Sequence, residues 1–250
     1  MRRLIAIGVA AGLAGWVIAQ VSGTDMLAGY AKSLNSAKSL SATLTIQKVM
    51  GGSYTETVDL AKPNKARIDT PTQLVVADGT TITTYDKKAN TFFKKPETDA
   101  DLKAQFTPDE LSMFGPFFDA GFFKDKVVTS KAAGQKTFKG TSYNVVLANL
   151  DNKNKKTVSF YLDPNDKLAK VGEYVLNDAG VTDTMLVMAK NYSVDGTQKD
   201  DTFAFVAPDG AHELTAEEMN AGKWYENLAD AEAAAKATNR PILVDFYADW

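Results

Sequence analysis

Leu74-Val75-Val76-Ala77-Asp78-Gly79-Thr80-Thr81-Ile82-Thr83-Thr84-Tyr85-Asp86 is the stretch that decides the fold. An apolar run meets Asp78-Gly79, and a β-branched run follows. Glycine accepts the positive φ of a tight turn, and β-branched side chains suit a pleated surface, so the stretch reads as a β-hairpin. The same signals recur on both sides. Upstream lie Ala66–Thr70 and Tyr54–Leu60, the latter alternating through Thr55, Thr57 and Asp59. A turn at Gly51-Gly52-Ser53 precedes them, and before it Leu44, Ile46 and Lys48 alternate with Thr43, Thr45 and Gln47. Downstream, Thr91-Phe92-Phe93 reads as a strand. After residue 135 the pattern resumes at Thr141–Leu147, Thr157–Leu162, Ala169–Leu176, Thr182–Tyr192 and Asp201–Val206. Turns at Asp163-Pro164-Asn165-Asp166 and Asn177-Asp178-Ala179-Gly180 separate these runs. Short connections without helices predict antiparallel meander pairing. About ten strands in one sheet tend to curl or close.

Two helical regions interrupt the strands. Asp25–Leu40 carries Met26, Tyr30, Leu34 and Ala37 on one stripe. Residues 97–126 hold Thr107-Pro108-Asp109-Glu110, a helix start with Thr107 as N-cap and Pro108 at the first helical position. Seven large apolar side chains follow, around Gly115-Pro116 and Gly121. This insert packs over one sheet face, or it is a lid over an apolar cavity; periodicity does not choose between them.

The chain has 250 residues, 28 Lys+Arg against 31 Asp+Glu, one His and no Cys. A net charge of −3 offers no basic footprint for nucleic acid. Without Cys, these residues hold no disulfide, Cys-zinc site or thiol nucleophile, and one His leaves little for metal sites or triads. No cofactor and no metal are implied. Asp151–Lys156 reads as a solvated hairpin turn and His212 as a surface linker residue. Asp109 and Glu110 suit a helix start, and with Asp99 and Asp101 they form no catalytic pair. Met1-Arg2-Arg3 precedes an apolar run from Leu4 to Ile18, and Val17 and Ala19 are the small residues of a cut before Gln20. Residues 1–19 therefore read as an export signal to the periplasm. The run of about 15 residues is shorter than the roughly 20 of a membrane span, which leaves an uncleaved N-terminal anchor as the alternative.

Lys62-Pro63-Asn64-Lys65-Ala66-Arg67-Ile68, Val75-Val76-Ala77-Asp78-Gly79-Thr80 and Tyr85-Asp86 resemble the outer-membrane lipoprotein carrier (LolA-like) superfamily. So do Tyr161-Leu162-Asp163-Pro164-Asn165-Asp166-Lys167-Leu168 and Phe203-Ala204-Phe205-Val206-Ala207-Pro208-Asp209-Gly210-Ala211. The resemblance spans about residues 25–214. It implies a half-open antiparallel β-barrel, mainly β with α, with a helical lid over its concave face, built by residues 20–214. It implies acyl chains or lipoproteins as partners, or a sensor role, and proximity to a membrane. The family's basic residue before Pro-Asn, a lid latch there, falls on Lys62. The lid and cavity residues would be Leu111, Met113, Phe114, Phe117, Phe118, Phe122 and Phe123.

Beyond residue 214 the character changes. Thr215-Ala216-Glu217-Glu218 is a capping-box helix start. Trp224, Leu228, Ala231 and Ala235 form a stripe on a helix ending near Asn239, and Pro241 opens an apolar strand, Ile242–Trp250. The order resembles the opening of a thioredoxin-like domain, so 215–250 reads as a linker helix and an incomplete thioredoxin-fold segment. The resemblance makes Asp245 the family's buried acid, inactive without Cys, and implies a Cys-x-x-Cys just beyond Trp250. About 27 residues cannot supply that fold's core, so the helix and strand are expected to lie loosely or protrude. Three functions follow: an apolar-ligand or lipoprotein carrier, part of a thiol–disulfide oxidoreductase, or a sensor whose cavity its own side chains fill.

Overall fold

The structure is a computed structural model and describes residues 22–153, 155–199, 201–219, 224–238 and 241–245. The expected export segment 1–19, its cut before Gln20, and Phe246–Trp250 lie outside the described residues.

One twelve-stranded sheet carries the fold. Its first meander is β1 (Ser39–Lys48), β2 (Gly52–Ala61), β3 (Lys65–Asp69), β4 (Gln73–Ala77), β5 (Thr81–Asp86) and β6 (Thr91–Pro96). The second is β7 (Thr129–Phe138), β8 (Thr141–Asn149), β9 (Lys156–Leu162), β10 (Ala169–Asp178) and β11 (Val181–Val194). β12 (His212–Glu213) is a two-residue edge strand. The order is β12-β6-β5-β4-β3-β2-β1-β11-β10-β9-β8-β7. Antiparallel pairing of β1 with β11 joins the two meanders, and only β12, beside β6, is parallel. The terminal strands differ, so the sheet is unclosed. One buried cluster nevertheless draws Leu44 from β1, Val75 from β4, Ile82 from β5, Val146 from β8 and Phe160 from β9. A sheet whose far strands share one core must curl around it.

Alternation sets the inner face. In β1, Leu40, Ala42, Leu44 and Ile46 are buried and their neighbours are not. In β2 the inward phase takes Glu56, Val58 and Leu60, with Glu56 opposite Leu44. α1 (Gly23–Ser36) lies inside the curl and buries Leu27, Tyr30, Ala31 and Leu34. A Cβ at Gly23 would lie 2.5 Å from the Lys131 backbone, so glycine lets α1 approach β7. The outer face carries two smaller clusters. One joins Leu74, Val76, Tyr85 and Phe92 to Phe205; the other joins Val145, Tyr161, Val171 and Met188. Residues 195–199 and 201–211 cross the outside of the first meander as a strap. Gln198 donates to the carbonyls of Leu40 and Leu60 at 3.1 Å, Arg67 to that of Ala204 at 3.4 Å, and Phe205 packs on Tyr85 and Phe92.

Several expectations are corrected. The first helix ends at Ser36, not Leu40: Ala37 is extended, and pairing with β2 and β11 claims the chain from Ser39. Its start is capped by Ser22, whose Oγ accepts from the Asp25 amide at 3.1 Å. Thr107 is not the N-cap of the insert helix; Pro108, held extended at ψ 142°, takes that place and Asp109 begins the helix. β7 was not expected, because its exposed, polar, glycine-broken sequence hides the alternation. Asp201–Val206 is not a strand. Turn bonds Thr202 to Lys199 and Ala204 to Asp201 take its amides, and the β6 edge pairs with His212–Glu213 instead.

In the tail, α5 (Ala216–Met219) has the expected capping box: Thr215 Oγ1 accepts from the Glu218 amide and Glu218 from the Thr215 amide. His212 is exposed and its ring meets Glu218 at 2.9 Å. α6 (Leu228–Thr238) forms, but its stripe is not buried; Trp224 is 68% exposed. The expected strand does not form over 241–245. Leu243 is 80% exposed, and Asp245 is exposed rather than a buried acid, because no strand or core among the described residues receives this run. Among the described residues, no helix is long and apolar enough to cross a membrane.

Phe160 joins the sheet to its filling, with ring centroids 5.9 Å from Tyr30, 5.4 Å from Phe123 and 6.3 Å from Tyr174. Phe160→Ala is expected to cost about 3–5 kcal/mol, read as a lower urea midpoint at unchanged slope.

Candidate functional site

The insert is a chain of short pieces: α2 (Asp99–Ala104), α3 (Asp109–Ser112), a 3-10 turn at Gly115–Phe117, and α4 (Phe122–Lys126). Gly115-Pro116 breaks the helix, and a Cβ at Gly115 would sit 2.3 Å from the Phe122 ring. The breaks aim apolar side chains into the curl. Leu111, Met113, Phe114, Phe117, Phe122 and Phe123 are all buried, and Phe118 is half-buried against Phe106 and Phe117. The expected lid residues therefore come together, and they fill the concave face themselves.

Short helices leave carbonyls without partners. Here side chains from the body supply donors. Tyr30 of α1 donates to the Met113 carbonyl. Asn35 Nδ2 donates to the carbonyls of Pro116 and Phe117, both at 3.1 Å. Ser112 and Tyr174 share a hydrogen bond of 2.9 Å, and Lys156 pairs with Asp109 at 2.8 Å.

Lys62, just past the end of β2, reaches the insert. Its ammonium donates to the Phe117 carbonyl and lies 5.0 Å from the Phe117 ring centroid and 5.7 Å from that of Phe118. Partial burial holds that ammonium below the usual lysine range. Lys62 thus touches the same turn that the lid residues occupy.

A cleft of about 470 Å³ opens between this insert and β2–β4. Leu111, Pro108 and Gln105 line one wall, and Ile68, Val75 and Tyr54 the other. Glu56 faces into it at 4% exposure, and no described residue bonds its buried Oε2. Glu110 of α3 also lines the cleft. Burial, and secondarily the Glu110 charge, push the Glu56 carboxyl up to about 7; Lys48 opposes them. The Lys48 ammonium is engaged with Tyr54, 5.4 Å above its ring. Sequence reading missed Glu56. Its signal was its phase: two and four residues before Val58 and Leu60, an acid stands in the inward row. The other acids near the insert are ordinary surface partners: Asp99 pairs with Lys103, and Asp101 with Lys95. The Asp151 carboxylate accepts from the amides of Lys153, Lys155 and Lys156, as a hairpin turn requires.

No family model matches the chain. A curated relative, an uncharacterized protein of Methanocaldococcus jannaschii, is 30% identical over 190 residues, covering 74% of this chain and 52% of that protein. The chain thus spans about half the length of the curated relative it matches. Among solved structures, it is similar to an uncharacterized conserved protein from Thermus thermophilus. That match has a TM-score of 0.48 and 10% identity, over 76% of this chain and 97% of the other. It is also similar to a LolA superfamily protein from Nitrosomonas europaea, with a TM-score of 0.37 and 10% identity, over 74% of this chain and 99% of the other.

Lys62→Met keeps the stem and removes the donor, while Asn35 still bonds the Phe117 carbonyl. Stability should fall by about 1 kcal/mol, and amide exchange should quicken at 113–118 but not in β1 or β2. Glu56 binds its proton more tightly folded than unfolded. Its contribution therefore favours the fold below the usual carboxylate range and is lost as pH rises from 4.5 to about 7. Glu56→Gln should remove that decline, leaving the variant more stable than the parent at pH 8 and closer to it at pH 5, in urea titrations at both pH values.

Proposed function

We propose that this chain is a LolA-like binding protein that takes acyl chains, free or on a lipoprotein, into the concave face of its sheet. In this reading residues 20–214 form the binding unit, and residues 1–19 export it to the periplasm. The insert is a displaceable plug, and Leu111, Met113, Phe114, Phe117, Phe118, Phe122 and Phe123 hold the place of the ligand. The observation that carries this reading is Lys62 on the Phe117 carbonyl. Its ammonium helps fasten, with Tyr30 and Asn35, a segment whose helices run only four to six residues. Helices that short have little stability of their own. The inner face behind them, with Leu44, Ile46, Val58, Leu60 and Ile68, is apolar except at Glu56. An acyl chain replacing the aromatic rings there would gain roughly 0.8 kcal/mol per buried CH₂, offsetting the lost aromatic contacts. A latch that favours the closed form lowers apparent affinity by the fraction that is open.

The test is acyl binding by the whole chain. Lipid extracted from the purified protein should contain acyl chains by mass spectrometry, and decanoate should raise its melting temperature. Lys62→Met should bind decanoate several-fold more tightly than the parent. No extracted acyl chain and no decanoate-dependent shift in either protein would remove the carrier reading and leave a domain whose core is filled by its own side chains.

A further inference from the structure

The cleft at the rim of the insert has chemistry that an acyl chain alone does not use. Its walls are apolar where Leu111, Pro108, Ile68 and Val75 meet it, and acidic at one end, where Glu56 and Glu110 line it. A buried carboxylate oxygen with no bonding partner among the described residues is costly unless something donates to it. The groups that face Glu56 are few. Leu44 stands opposite it on β1, Glu110 approaches from α3, Tyr54 lies two residues before it on β2, and Lys48 lies at the end of β1. Glu110 repels it, and the Lys48 ammonium sits on Tyr54. The acid end thus lacks a donor that a ligand could bring. The volume, about 470 Å³, lies within the range of small-molecule sites.

We propose that this cleft binds the head of an amphiphile bearing a primary ammonium, with the ammonium donating to Glu56 Oε2 beside Glu110 and the apolar chain running along Leu111 and Val75 toward the insert. The inference rests on the acyl-binding reading and adds the head group to it. Three features make the cation the fitting head. The orphan atom is an acceptor when ionised, and the neighbouring acid adds a second negative charge. An anionic head such as a fatty acid carboxylate would meet both acids directly. The inward row of β2 also separates the two kinds of charge: Glu56 lies six residues, about 20 Å, before Lys62. A chain entering beside Glu56 can therefore be held by its head without displacing the Lys62 contact.

Binding and ionisation are then linked. With its carboxyl pushed up to about 7, Glu56 is mostly protonated at pH 6 and mostly ionised at pH 8. An alkylammonium keeps its charge throughout this range. Decylamine affinity should rise about tenfold from pH 6 to pH 8.

The experiment titrates the whole chain, below micelle formation, with decylamine, decanol and decanoate, following melting temperature and the heat of binding at pH 6 and pH 8. The parent should bind decylamine most tightly, with the pH rise above, and Glu56→Gln should bind it about tenfold more weakly at pH 8 while keeping decanol affinity. Equal binding of all three probes, or decylamine binding that ignores Glu56→Gln or pH, overturns the head-group inference and leaves the acyl reading standing. Binding of none of the three overturns both. Should the variant fail to fold, the pH dependence of the parent decides alone: a flat decylamine affinity between pH 6 and pH 8 overturns the inference.

Discussion

A single curled sheet has an apolar inner face that no second sheet covers, and the rest of the molecule answers to that constraint. Leu44, Ile46, Val58, Leu60, Val146 and Phe160 must meet other carbon atoms or water. α1 covers part of the face through Leu27, Tyr30 and Leu34. The insert covers the rest with aromatic rings, each bringing a large area from a few residues. The density of phenylalanine between 106 and 123 is thus a consequence of sheet geometry before it is a sign of any ligand.

The filling has its own requirement. To turn inward repeatedly within some twenty residues, the backbone must break its helices, and each break strands carbonyl oxygens. Tyr30, Asn35 and Lys62 supply the donors. Apolar contact gives the insert its adhesion, and these polar bonds give it its position. The two forces differ in reach. Hydrophobic contact would accept many arrangements of the rings, whereas a buried carbonyl accepts only a donor at the right place. The insert is held in one pose by few groups, which is the condition under which a packed segment can also be exchanged for something else.

Much of this was legible in the sequence, and the failures are instructive. β4 and β5 were read to within a residue, because Asp78-Gly79 punctuates the two runs that form one hairpin. The turn at 177–180 was equally plain: Ala179 and Gly180 carry positive φ, as a two-residue hairpin loop requires. The lid residues were recognised as apolar and Lys62 as the basic group near them, but their contact across about 55 positions of sequence has no local signature. β7 escaped because an edge strand whose residues are mostly exposed has no clear hydrophobic phase to read. Residues 201–206 misled because Phe203 and Phe205 alternate like a strand, although they belong to a strap that forms no strand among the described residues. The tail misled for the opposite reason: a strong strand sequence is not a strand without a neighbour.

The strap has a consequence for how the chain is made. Its bonds to Arg67, Leu60 and Leu40 span 137 to 158 residues of sequence. During synthesis the first meander is complete long before residue 195 exists. Until then Leu74, Val76, Tyr85 and Phe92 present an oily outer patch that Phe205 and Ala211 later cover. β6 likewise waits for His212–Glu213 to cap its edge. The growing polypeptide therefore passes through a long interval in which half of its sheet is formed and sticky on its convex side. Whatever accompanies the nascent protein must shield that side, and a ribosome halted between β6 and the strap would leave a product prone to self-association.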